Sequence, residues 1–219
     1  MNIALGTDHE TRMFAGAIRA ARAANGIHLA GYAAVFDSLS VPMWGFREKI
    51  APGAFSEVLG DDVRCLLNHD PSLILGRTKS GTLNLAQDDH GLSIDDLLPD
   101  TQLGRDTAEL VGRGDISQMS FAFSVAEESW EYHDDGSDDI RTILKFKRLY
   151  DVSPVTYPAY PETSIGLRDL EIAQQRVRER IARKLPVTGD EVRLLERPSP
   201  SYLVEQEKIR VALALARRR

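Results

Sequence analysis

Cys65 is the only cysteine in a chain of 219 residues. One thiol forms no intrachain disulfide and no multi-cysteine zinc site, which fits a reducing compartment. Long apolar runs are missing too: no stretch comes near the roughly 20 residues that a membrane-spanning helix needs. The opening MNIALGTDHETRMF carries Asp8, His9 and Glu10 where a secretory leader would have basic residues and then an apolar run. A soluble, cytoplasmic protein that touches no membrane is the expectation. Positive charge is not in excess. The formal net charge of -6 argues against nucleic acid as the main partner, because phosphate binding calls for a clustered basic surface. Metal signatures are lacking as well. No His-Glu-x-x-His motif occurs, and HDDGSDD at 133–139 has neither the Asp-x-Asp-x-Asp-Gly order nor the distal Glu of a calcium loop. Its plain reading is a solvated hairpin tip, and Asp88, Asp89 and His90 read as a similar turn. No cofactor and no metal is expected.

What is present suffices for a core. The hydrophobic fraction is 42%, and the length suits one good-sized domain with room for an appendage. Residues 1 to about 12 read as a loose lead-in. Ile27 to Phe36 is rich in strand formers, with Gly31 as a candidate bulge. SVPMWGFREKIAPGAF is a loop leading to a short strand near Glu48. Pro52 then opens a helical pattern carrying Ala54, Phe55, Val58 and Leu59, with Gly60 as its stop. Val63 to His69 reads as a strand with Val63, Cys65, Leu67 and His69 on one face. Thr82–Ala86 and Gly91–Leu98 are further strands around a turn. Thr101 or Asp100 caps a helix closed by Gly112 or Gly114. Met119 to Val125 is the clearest strand, and Asp-Gly in the acidic run makes a hairpin to a second strand from Ile140 to about Val152. The prolines of SPVTYPAYP hold the chain extended. From residue 166 the chain turns charged and helical, through RDLEIAQQRVRERIARKL and, past a polar linker, VEQEKIRVALALARRR. The expected division is a mostly β domain over 1–165 and a helical, flexible tail over 166–219.

Four residues are candidates for chemistry on the pattern itself. Ser120 alternates with Met119, Phe121 and Phe123, whose aromatic face belongs in the core. Its own face carries almost all small residues, which leaves space for another chain or a substrate, although the strand pattern by itself favours a face packed closely against a helix. His69 ends its strand, and a neutral imidazole nitrogen there can take a serine proton. Such a base needs a third group to fix its tautomer. Asp70 is adjacent, but successive strand residues face opposite ways. Asp151, on a separate strand beside Ser120, is the better orienter. Cys65 is the rival nucleophile. It lies four residues from His69, roughly 13 Å along an extended strand, so a small buried residue is the expected role.

The segments GYAAVFDS, IAPGAF, LLNHD with LGR, GDISQMSFAF and LYDVSPVTYPAYP, in this order from about Arg12 to Thr163, resemble the prohead maturation proteases of tailed bacteriophages. The resemblance implies an α+β, mainly β fold: an antiparallel β-barrel of the herpesvirus-assemblin type, closed or nearly so, surrounded by helices. It also implies a serine endopeptidase with Ser120 as nucleophile and His69 as base. Assemblins have a second histidine as the third member. The phage relatives usually carry an acid just before SPV, which here is Asp151.

The implied substrates are scaffold, or the scaffolding segment of the major capsid protein, and the protease itself. The implied location is the assembling procapsid in the bacterial host cytoplasm. A homo-oligomer, active as a dimer, is suggested by the likeness to assemblins. The tail over 166–219, with Arg217–Arg219 at its tip, is then a segment for scaffold interaction or self-cleavage. The reading that competes is a non-enzymatic capsid assembly or scaffolding protein in which Ser120 is incidental.

Overall fold

The computed structural model describes residues 9–14, 18–43, 45–156 and 167–197. The expected helix after residue 200, the basic tip and most of SPVTYPAYP lie outside them. Ten strands and three helices are formed among the described residues, so the chain is α+β and mostly strand, as expected. The strands do not close into a barrel. They form a six-stranded mixed sheet and a four-stranded antiparallel one.

The larger sheet is organised by a long hairpin. Strand β9 (Gln118–Glu131) runs antiparallel to β10 (Asp139–Val155), with several register shifts that bend the pair. On the outer edge of β9 lies β1 (Glu10–Phe14), also antiparallel. The other edge of β10 is shared by two strands parallel to it. Strand β4 (Phe46–Ile50) pairs with Asp139–Ile143, and β5 (Arg64–Leu66) pairs with Asp151 and Val152. Beyond β5 comes β6 (Ile74–Arg77). The smaller sheet runs in the order β2 (Arg19–Ala23), β3 (Gly26–Val35), β8 (Gly91–Leu97), β7 (Leu83–Gln87).

Several sequence expectations change here. The presumed lead-in contributes β1, because Glu10 and Arg12 are buried by charge pairing rather than by apolar side chains. The bulge in β3 falls at Ala33, between the pairings of Tyr32 and Ala34, not at Gly31. Residues 52–60 make successive tight turns instead of a helix. Gly53, at φ 89°, takes a left-handed conformation that an α-helix does not contain. The apolar spacing still serves its purpose, since Ala54, Phe55 and Val58 are buried. The helix α1 (Gln102–Arg113) forms where expected, with the Thr101 hydroxyl accepting from the Gly104 N–H and Gly114 ending it in a left-handed conformation.

The main core is centred on four phenylalanines. Phe55 stacks on Phe146 at 4.3 Å, Phe121 on Phe123 at 4.9 Å, and Phe146 meets both of the latter edge-on. Leu29, Leu83, Leu92 and Ile116 complete it. A second, smaller core holds α2 (Leu167–Ala182) and α3 (Gly189–Glu196), where Ile172, Ala173, Val177 and Leu194 pack on Phe46 with Trp130. Asp139 is fully buried at its edge, taking Arg176 at 2.6 Å and Arg180 at 2.5 Å. The acidic run therefore contributes a structural anchor for α2 as well as a hairpin tip.

One polar residue intrudes on the main core. Asp96, on the buried face of β8 with Leu92 and Ile94, lies against Gly76, where a Cβ would stand 1.7 Å from its carboxylate. Neither carboxyl oxygen has a partner in regular hydrogen-bond geometry among the described residues, and its polar neighbour is the buried Cys65 thiol. Burial pushes its pKa up from 3.8 to about 7. The folded chain thus holds the proton more tightly than the unfolded chain. Stability declines as pH rises from about 4, where the unfolded carboxyl ionises, to about 7, where the folded one does. The loss by pH 8 amounts to about 4 kcal/mol. Asp96→Asn is expected to raise Tm by several degrees at pH 8 and to change it little at pH 4. Equal melting of the two chains at pH 8 would rule the account out.

Candidate active site

Ser120 stands near the start of β9, on the face opposite Phe121 and Phe123. Its cross-strand partner is Ser153, and Ala122 faces Asp151, so Ser120, Asp151 and Ser153 share one face of the hairpin. Small residues on this face let a neighbouring loop approach, and the loop that does so carries His69.

The expected strand to His69 stops early. Strand β5 ends at Leu66, and Leu67–His69 form a single tight turn in which Asn68 and His69 are both left-handed, at φ 55° and 58°. Each such residue costs roughly 1–2 kcal/mol without glycine, so the turn needs anchors. Asn68 provides one: its side-chain oxygen accepts from the Thr156 N–H at 2.9 Å and the Thr156 hydroxyl at 3.2 Å, tying the turn to the end of β10. Asp70 provides another, accepting from the Ser72 N–H at 2.8 Å and hydroxyl at 2.6 Å. Those bonds hold its carboxyl below the usual aspartate range and leave it engaged with Ser72, away from the histidine.

The turn brings the imidazole between the two β strands. His69 Nε2 lies 2.6 Å from Ser120 Oγ, and Nδ1 lies 2.6 Å from Asp151 Oδ1. The same carboxylate oxygen accepts from the buried Ser153 hydroxyl at 2.6 Å. A carboxylate accepting at Nδ1 fixes the ring proton there and turns the Nε2 lone pair toward the serine. That is the arrangement for moving a proton off a hydroxyl and stabilising the imidazolium that results. The ring is partly open, with a quarter of its side-chain surface exposed, whereas Ser120 is 1% exposed. The main-chain oxygen of Arg12 in β1, 2.9 Å from Ser120 Oγ, is a second acceptor for the one hydroxyl hydrogen.

The structure thus brings together Ser120, His69 and Asp151 and keeps the other candidates apart. Cys65 is completely buried, and burial beside Asp96 raises its thiol pKa well above the ordinary value, so little thiolate forms. Asp88 serves its turn, accepting from Tyr32 and from the N–H groups of His90 and Gly91, and His90 packs edge-on against Tyr32. No group of three or more His, Cys, Asp or Glu among the described residues converges to hold a metal ion. Two supporting residues escaped the sequence reading, Ser153 and Asn68. Ser153 could have been found from the period of two, which sets it on the face of Asp151. Asn68 could have been suspected as a non-glycine residue that tolerates a left-handed turn before Asp70-Pro71.

No curated protein sequence matches the chain. Among solved structures, the capsid assembly protease of bacteriophage T4 aligns with a TM-score of 0.45 and 12% identity, covering 68% of this chain and 97% of that one. The sequence profile of the caudovirus prohead serine proteases matches residues 15–177, a span that includes His69, Ser120 and Asp151. The chain belongs to the caudovirus prohead serine protease family.

Proposed function

We propose that the chain is a serine endopeptidase of procapsid maturation in which Ser120 is the nucleophile, His69 the general base and Asp151 the group that orients it. The observation that carries this reading is the unbroken run of 2.6 Å contacts from serine to imidazole to carboxylate. His69 Nε2 takes the hydroxyl proton as Ser120 Oγ bonds to a peptide carbonyl carbon. The imidazolium then protonates the departing amine, the C–N bond breaks, and an acyl-enzyme remains. Water, deprotonated by the same nitrogen, releases the new carboxyl terminus and restores the serine. Asp151 holds the ring with its proton on Nδ1 throughout. No cofactor enters this sequence of steps.

Family membership supports substrates inside a phage procapsid: scaffold or the scaffolding segment of the major capsid protein, and the protease itself.

Co-expression with the phage's major capsid protein, followed by intact mass, tests the reading. The wild-type chain is expected to shorten the capsid protein, and Ser120→Ala to leave every chain full length. Cleavage that survives Ser120→Ala would remove Ser120 as nucleophile. Full-length chains from both, in well-formed shells, would favour a non-enzymatic assembly role.

Asp151→Asn favours the wrong imidazole tautomer and is expected to lower kcat on the order of 10³- to 10⁴-fold. Ser153→Ala removes one donor from Asp151 and should lower kcat roughly 10-fold, with KM unchanged. Steady-state kinetics on a cleaved peptide separates the two constants. A loss confined to KM would show that Ser153 does not act through Asp151.

A further inference from the structure

The nucleophile is covered by the chain's own backbone. Strand β1 lies along the outer edge of β9 with Met13 opposite Ser120 and Arg12 opposite Phe121. Ser120 Oγ, buried, lies within hydrogen-bond distance of two acceptors, His69 Nε2 at 2.6 Å and the Arg12 carbonyl oxygen at 2.9 Å. A hydroxyl has one hydrogen, so the β1 carbonyl competes with His69 Nε2 for it. The base is accessible and the nucleophile is not. An enzyme with an empty substrate groove would show the serine oxygen to solvent.

We propose that the edge of β9 beside Ser120 is the peptide-binding edge of the protease, and that β1 is its resident intramolecular occupant, displaced when a substrate segment adds as a strand in its place. The proposal rests on the assignment of Ser120 as nucleophile. Four observations support it. An extended peptide binds an open sheet edge through main-chain hydrogen bonds, and β1 is the terminal strand of its sheet, with no strand on its far side among the described residues. Its carbonyl oxygen meets Ser120 Oγ through a hydrogen bond, which occupies the nucleophile without reaction.

The third observation is what holds β1. Its described side chains, Glu10, Thr11 and Arg12, bury no large apolar surface. Arg12 instead meets Glu48 at 2.7 Å and Glu10 at 2.9 Å, and Arg141 meets Glu10 and Glu48 at 2.6 Å each. Buried ion pairs of this kind repay little more than the desolvation of their members. These ion pairs, with the Arg12 guanidinium over the Phe123 ring at 5.7 Å, release the described part of β1 more readily than a wholly apolar face would. Leaving the cluster also removes one charge of each sign and leaves Glu48 with Arg141 and Glu128 still paired. The fourth is that β1 ends at Phe14, just before the family-matched stretch begins at residue 15.

The same contacts define what the edge prefers. A peptide in the register of β1 sets a basic side chain against Glu48 and an acidic one, two residues earlier, against Arg141. The preferred occupant is an extended segment with acidic-x-basic order.

The test uses diisopropyl fluorophosphate, which bonds to the serine oxygen as fluoride leaves phosphorus and the hydroxyl proton passes to His69. Labelling is followed by intact mass in the full chain, in a chain lacking residues 1–14, and in the full chain with Glu10→Ala and Arg12→Ala together. Thermal melts establish that each is folded. Both loosened forms are expected to label on the order of 10-fold faster than the full chain. A tethered strand has an effective concentration on the order of millimolar, so a synthetic peptide of residues 8–16 at that concentration should slow labelling of the trimmed chain. The same peptide with the glutamate and arginine exchanged should not. If the trimmed chain fails to fold, the doubly substituted chain decides. Equal labelling rates in the folded forms overturn the plug while leaving Ser120 as nucleophile. Labelling at Ser120 in none of them removes the nucleophile assignment, and this proposal with it.

Discussion

The antiparallel ladder between β9 and β10 is the constraint on which the rest of the molecule depends. β9 supplies Ser120, and β10 supplies Asp151 and Ser153 on the same face. The remaining edge of β10 receives β4 along its first residues and β5 near its end, and the turn after β5 delivers His69. Every group at the site is thereby referred to one strand. A slip of one residue in the ladder would send Ser120 and Phe121 to each other's faces, burying the serine hydroxyl in the aromatic core. The stacked Phe121, Phe123 and Phe146 oppose that slip, so the packing of the core and the registration of the site are the same physical fact.

How much of this could be read in advance follows from what kind of force sets each element. Strand β9 and helix α1 were legible because alternation, a Thr101 cap and a terminal glycine are local signals. The three site residues were legible through the order of the motifs around them. Their contact was not, because the supposed strand to His69 would have carried the ring along a straight path. Two left-handed residues in succession bend it back, and Asn68 before Asp70-Pro71 is only a weak local sign of that conformation, which Thr156 secures from a distant strand end. Strand β1 was missed for a different reason. Its sequence is charged, and charge is normally the mark of a solvated segment. Here Arg141, distant in sequence, makes the burial of Glu10 possible. Residues 52–60 show the reverse error, in which helical spacing of apolar side chains is satisfied by turns.

Charge is used in two ways in this fold. In the cluster of Glu10, Arg12, Glu48 and Arg141 and in the Asp139–Arg176–Arg180 group, opposite signs meet at hydrogen-bond distance. Such sets add little net stability over apolar packing, but they admit few alternative partners. They set the register of β1 and the seat of α2 on the hairpin. Asp96 is the exception, a carboxyl in an apolar setting with a raised pKa. The approach of Gly76 leaves it no room for a compensating cation.

The separation in sequence of the paired groups has a consequence for the time at which the chemistry appears. Ser120 and His69 are 51 residues apart, His69 and Asp151 are 82, and Ser120 and Arg12 are 108. Contacts over such spans form only after the loops between them have closed, and topologies rich in them fold slowly. A chain still being synthesised, or folded only locally, has a serine, a histidine and an aspartate but no dyad. The contact between β10 and β5 requires the later strand to arrive before the histidine turn has anything to anchor it. The contact topology therefore acts as a clock: the contacts of Ser120, His69 and Asp151 and the strand that covers Ser120 arise in the same closing stage of folding, and neither precedes the complete domain.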